Sequence, residues 1–183
     1  AKLFIPLLEE NNQMDFFQKI EMPLINVLMQ MEKDGVYVEQ KMLNEMSRNI
    51  GDRLDKLVKN IYKISGSEFN INSTQQLAVI LFDELKLNQI KKRSTAENIL
   101  KELANDHELP ELILEYRKLN KLKNTYVDSL PASINKETSR IHSTFNQTIA
   151  STGRLSSTGP NFQNIPIRTE EGREIRKSFI AQK

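Results

Sequence analysis

The sequence contains no cysteine, which excludes a disulfide framework, a thiolate metal site and a cysteine nucleophile, and fits a reducing cytoplasm. Its apolar runs, such as Leu3–Leu8 and Ala78–Phe82, fall far short of the roughly 20 residues that a membrane span requires. No basic-then-apolar pattern opens the chain, so no signal peptide is read there. His107 and His142 lie in different elements without a His-x-x-x-His pattern, so a metal site is not expected, and capping or solvated roles are. Adjacent acidic pairs such as Glu9-Glu10, Asp83-Glu84 and Glu170-Glu171 do not share a helix face and do not read as an acid–base dyad. A phosphate loop, an internal repeat and a low-complexity tract are also missing. These absences predict a soluble, cytoplasmic protein.

With 38% hydrophobic and 27% charged residues over 183 positions, the chain has the balance of a globular protein able to bury a core. Net charge is only +2, yet residues 1–110 carry 14 basic and 17 acidic side chains, and residues 111–183 carry 12 and 7. The C-terminal part therefore carries the positive excess, where any polyanion would be held, although a solvated charged face is the commoner source of so mild an imbalance.

Residues 15–34 show helical apolar spacing interrupted by Pro23, and Gly35 ends the pattern before an extended Val36-Tyr37-Val38 link. From Glu39 to Ser65, Leu43, Met46, Ile50, Leu54, Leu57, Val58, Ile61 and Ile64 recur every three or four positions, predicting one amphipathic helix about 40 Å long with Gly66 as its C-cap. A rod of that length suits a projecting helix pair. Ser73–Gln76 and Ser94–Glu97 read as capping boxes opening two further helices, to about Leu85 and Asn105. Pro110 marks the first turn of another, which ends near Pro131. Tyr37, Tyr62, Tyr116 and Tyr126 read as core rather than as a base-stacking platform. The period changes at Arg140: Ile141, Ser143, Phe145, Gln147 and Ile149 alternate as a strand, residues 151–172 read as a long loop, and Ile175–Ala181 reads as a second strand.

The richest stretch is Ser151-Thr152-Gly153-Arg154-Leu155-Ser156-Ser157 through Pro160-Asn161-Phe162-Gln163-Asn164-Ile165-Pro166-Ile167-Arg168. Asn and Gln can reach the minor-groove acceptors shared by all base pairs, and Arg adds a fork for phosphate or base edges. The residues alone leave two readings open: a nucleic-acid site, or polar groups that satisfy one another and the loop backbone.

The string resembles the Thr-Gly-Arg-Leu-Ser-Ser…Pro-Asn-Leu-Gln-Asn-Ile-Pro-Val-Arg segment that opens the palm of family A (polymerase-I-like) bacterial DNA polymerases. The resemblance extends back through Phe69-Asn70-Ile71-Asn72-Ser73, Ile113-Leu114-Glu115-Tyr116-Arg117, Leu119–Tyr126 and Arg140-Ile141-His142, and covers nearly everything from Met22 to Ala181. It implies a mostly α fold with a small β part (α+β): residues 1–14 a tether, 15–137 a helical thumb, and 138–183 the first strands of an incomplete palm sheet with a DNA-contacting loop at 151–172. It implies a minor-groove role at the primer end for Arg154, supported by Asn161, Gln163, Asn164 and Arg168. Lys121 and Lys123 resemble thumb lysines that contact phosphate. Asn70, Asn72 and Ser73 match a thumb helix start, and Arg93, Ser94 and Thr95 the thumb tip, where helix-start amides hold phosphate.

Family members usually carry several more residues near Lys91–Arg93, so either the tip here is shorter or a loop is missing from this sequence. Gly159 stands where an acidic residue or Asn is usual, and Phe162 replaces Leu. The family's metal-binding aspartates fall in motifs that the sequence does not contain. The expectation is therefore a DNA-binding segment that is not catalytic alone and binds no cofactor itself, with Mg2+ implied for the complete polymerase. The expected partners are duplex primer-template DNA and the remaining palm and fingers. A split-polymerase subunit and a helical protein-interaction module are the alternatives.

Overall fold

The computed structural model describes residues 3–181; Ala1 and Lys2 of the expected tether, and Gln182 and Lys183, lie outside the described residues. The chain is mostly α-helical with a small two-stranded antiparallel sheet, the class expected. It divides into two compact units, one made of the residues up to Glu39 together with those from Leu130 onward, the other of Gln40–Ser129.

In the second unit, the 26-residue helix α4 (Gln40–Ser65) buries Leu43, Ile50, Leu57 and Ile61 on one face, as its periodicity predicts. Gly66 ends it in a left-handed conformation (φ 74°), its N–H donating to the Tyr62 carbonyl at 3.0 Å. Ser73 caps α5 (Thr74–Val79) by accepting from the Gln76 N–H at 3.3 Å. The Gln76 carboxamide oxygen reaches back to the Asn70 N–H (2.7 Å) and not to that of Ser73, so the expected box closes three residues further out. A π turn, Ile80–Glu84, continues α5, and an extended segment β1 (Ile90–Arg93) leads to α6 (Glu97–Leu103). The second expected capping box does not form, because α6 begins only after Ala96 and the Ser94 hydroxyl closes a local turn by accepting from the Ala96 N–H. The His107 ring nitrogen caps α7 (Glu108–Leu122) by accepting from the Leu109 N–H at 3.1 Å, and a π turn, Lys123–Val127, follows α7. α7 packs against α4 and α6 over a core of Ile61, Leu77, Leu81, Leu100, Leu103, Leu109 and Ile113, each such buried Leu or Ile contributing about 1.5–3 kcal/mol.

The other unit opens with α1 (Phe4–Glu10) and α2 (Met14–Phe16), then a π turn (Phe17–Glu21) and α3 (Met22–Asp34), whose first turn accommodates Pro23 without an amide donor. Gly35 (φ 63°) ends α3 where a Cβ would lie 2.8 Å from the His142 ring. Val36 and Val38 make isolated antiparallel bridges to Ile141 and Phe179. The helical turn α8 (Ser129–Ala132) precedes β2 (Thr144–Asn146), which pairs with β3 (Ser156–Thr158) in the register Thr144↔Thr158.

Two expected strands are corrected. The Arg140–Ile149 strand is only three residues long, because its polar groups bond outside a ladder: the Ser143 hydroxyl to the Thr158 and Pro160 carbonyls, the Phe145 N–H to the Glu32 carboxylate at 2.5 Å, and Gln147 to Glu21. The Ile175–Ala181 strand is instead the helix α9 (Glu170–Lys177), leaving only the Phe179 bridge in extended form. Thr169 caps α9 by accepting from the Gly172 N–H (3.1 Å), and acidic first-turn and basic last-turn residues complement its dipole. Residues 151–172 accordingly hold β3 and the start of α9 rather than one continuous loop.

Candidate nucleic-acid interface

In the Gln40–Ser129 unit an open depression of about 850 Å³ is lined by Asn72, Thr74, Gln75, Arg93, Ser94, Thr95 and Arg117, among others. Two of the sequence-predicted groups contribute to its lining, one through Asn72 and the other through Arg93, Ser94 and Thr95, and Arg117 of α7 adds to them. Asn70 works on the turn itself, its side-chain oxygen accepting from the Asn72 N–H at 3.0 Å. Asn72 donates to the Tyr116 hydroxyl (3.3 Å), and Asn124, in the π turn after α7, donates to Asn120 at 3.0 Å. Thr95 is buried (6% exposed), its carbonyl accepting from Arg117 Nη1 at 2.6 Å.

Arg117, which closes the Ile113–Arg117 motif, is a functional candidate that spacing and composition do not single out. Its half-buried guanidinium holds the Thr95 carbonyl and lines the depression, and among the described residues no carboxylate pairs with it. Burial pushes its pKa down. Such an uncompensated cation beside hydroxyl and amide donors suits an anion with several acceptor oxygens.

The predicted cations differ in their surroundings. Lys121 is exposed on α7. Lys123 is tied down, its Nζ donating to Ser47 Oγ (3.0 Å) and Asp128 Oδ2 (2.6 Å), while Ser47 Oγ donates to Asp128 Oδ1 (2.7 Å). Arg93 forks onto the Asp83 carboxylate.

In the other unit, Gln163, Asn164 and Arg168 share a depression of about 360 Å³ with Arg176, a second residue not anticipated, whose guanidinium donates to the Ile165 carbonyl at 3.1 Å. Asn161 turns the chain here: its side-chain oxygen accepts from the Gln163 N–H at 2.9 Å. Arg154 stands exposed beside left-handed Gly153 (φ 73°), outside that depression. Among the described residues no group of three or more His, Asp or Glu could hold a metal ion, so the residues present do not fit a two-metal centre. No helix among them is long and apolar enough to cross a membrane.

These features define a class: a helical segment with donor-rich surfaces suited to a polyanion. Residues 40–183 match the family model for DNA polymerase family A, and the chain belongs to that family. It is 49% identical to DNA polymerase I of Pseudomonas aeruginosa over 88% of this chain and 18% of the relative, and 44% identical to DNA polymerase I of Bacillus subtilis over 94% and 20%. The chain thus spans about a fifth of the length of these relatives. Its fold superposes with a TM-score of 0.87 and 38% identity on the POL domain of Pol1 from M. smegmatis, solved in complex with DNA primer-template and dNTP, over 96% of this chain and 32% of that one.

Proposed function

We propose that this chain is the primer-template DNA-binding segment of a DNA-directed DNA polymerase acting in replication or repair synthesis, and is not catalytic alone. The observation that carries the reading is the Arg117 depression, where a half-buried cation that pairs with no carboxylate among the described residues meets the Asn72 turn and the Ser94–Thr95 segment. In this assignment residues 1–14 are a tether, 15–137 the thumb region, and 138–183 the start of the palm. Arg154, Gln163, Asn164 and Arg168 serve the minor groove and adjoining phosphates, with Asn161 shaping their turn. Lys121, with Asn70, Asn72, Ser73, Arg93, Ser94 and Thr95, serves the backbone. Mg2+ belongs to the complete polymerase, held by carboxylates other than those described here. The exposed apolar side chains Phe4, Leu7, Phe16, Ile20, Ile25 and Met29 fit cover by the remaining palm and fingers.

Titration of labelled primer-template duplex with the chain at two salt concentrations tests the reading. Binding is expected to be independent of sequence and to weaken steeply with salt as phosphate contacts release counterions. Lys121→Ala should weaken it alike for every sequence and lower the salt slope by about one unit. No binding even at low salt would leave the protein-interaction module as the better account.

A further inference from the structure

We propose that Asp83 restrains Arg93 as an internal stand-in for a nucleic-acid phosphate, so that gripping a duplex requires exchanging this carboxylate for a phosphate. The inference rests on the DNA-binding reading and assigns a role to a residue that the reading leaves out.

Asp83 lies in the π turn Ile80–Glu84, and Arg93 lies ten positions on, at the end of β1. Both terminal nitrogens of Arg93 donate to the two Asp83 oxygens, Nη2 to Oδ2 at 2.6 Å and Nη1 to Oδ1 in a shorter contact. Two parallel N–H···O bonds from one guanidinium edge are also how arginine grips a phosphate. The edge that would serve DNA is therefore already occupied. Arg93 lines the depression beside Ser94 and Arg117, whereas Asp83 does not. Asp83 thus holds the cation from outside the surface where the phosphate would sit.

The pair is exchangeable because it is wet: the Arg93 and Asp83 side chains are 43% and 48% exposed, and pairs in that setting are weak. The hydrogen bond from Arg93, outweighing partial desolvation, holds the Asp83 carboxyl below its usual range, so it remains a charged competitor at neutral pH. On exchange, the phosphate releases a counterion while the freed Asp83 takes one up. Arg93 then adds little to the salt slope of the wild type.

The test is duplex affinity and salt slope, by fluorescence anisotropy, for wild type, D83N, R93A, the D83N/R93A double variant and E84Q, an equal charge change on the same turn. D83S serves as a second Asp83 variant, and thermal melts monitored by circular dichroism check folding. D83N and D83S should tighten low-salt binding about two- to fivefold and steepen the slope by up to about one unit, and both effects should vanish in the R93A background. A gain that persists without Arg93, or an equal gain from E84Q, would overturn the inference in favour of a general charge effect. Weaker binding by D83N would also overturn it, Asp83 then orienting Arg93 for DNA rather than withholding it. Wild type that fails to bind at low salt ends the DNA-binding reading and the inference together, whereas wild type that binds with no Asp83–Arg93 coupling ends the inference alone.

Discussion

At Gly172 the chain leaves no room for a side chain: a Cβ there would collide with the Pro166 carbonyl oxygen. That oxygen is backbone and cannot swing aside, so Gly172→Ala must displace either the first turn of α9 or the Pro166 turn. Overpacking of this kind costs about 1–3 kcal/mol, which chemical denaturation should register as a lower midpoint with an unchanged slope; an unchanged midpoint would show that the turn yields freely. Arg117 presents the opposite case, a side chain whose shape is used on two sides. Arg117→Lys keeps the charge but loses the planar fork that reaches Thr95 while facing the depression. We expect it to weaken duplex binding, and Arg117→Met to weaken it further, by about tenfold, in anisotropy titrations on protein shown to be folded. Wild-type affinity in Arg117→Lys would confine Arg117 to holding Thr95.

Between elements, the Lys123–Ser47–Asp128 triangle fastens the π turn after α7 to α4. Partial burial opposes the charged form of Asp128, but hydrogen bonds from Lys123 and Ser47 and the charge of Lys123 outweigh it, so its carboxyl titrates below the usual range. A depressed folded-state pKa adds stability above the unfolded value of about 3.9 and loses it as pH falls through the folded one. Asp128→Asn should therefore melt below wild type at pH 7, with the gap closing below about pH 4; a gap that stays constant to lower pH would place the effect in packing. The triangle also marks how far the sequence could be read. The spacing and glycine that make α4 are local, and so were legible. That Lys123 is tied to Ser47, 76 positions away, is not a local property and cannot be read from spacing. The α9 helix was legible but misread: branched and aromatic residues from Ile175 to Ile180 suggested a strand, while the cap at Thr169 and the acidic-to-basic order of Glu170–Lys177 specified a helix. At Ser94 the capping pattern was present, and the hydroxyl closed a shorter turn instead.

At the scale of the whole molecule, the proposed function separates binding from chemistry. Nucleotide transfer requires carboxylates that hold two metal ions about 4 Å apart, and no such acidic group occurs among the described residues. Donor-rich depressions, by contrast, occur in both compact units. The chain alone, given magnesium, nucleotides and primer-template, is therefore expected to bind the duplex and leave the primer unextended. Incorporation by a preparation shown to be free of host polymerase would refute the division of labour proposed here. Within a polymerase of the relatives' full length, Arg154 and Lys121 should fail differently. Lys121, exposed on α7, would position the backbone under the proposed function, so its loss should lower affinity and spare the chemical step. Arg154, exposed beside Gly153, would donate to the minor groove at the primer end. Its replacement by Ala should slow incorporation more than it weakens binding, because small misplacements of the reacting hydroxyl are costly, and the slowing should deepen after a mismatched primer end. Single-turnover rates and equilibrium affinities measured on the same two variants decide the matter: normal incorporation by Arg154→Ala with slowed incorporation by Lys121→Ala would mean that the two roles are reversed.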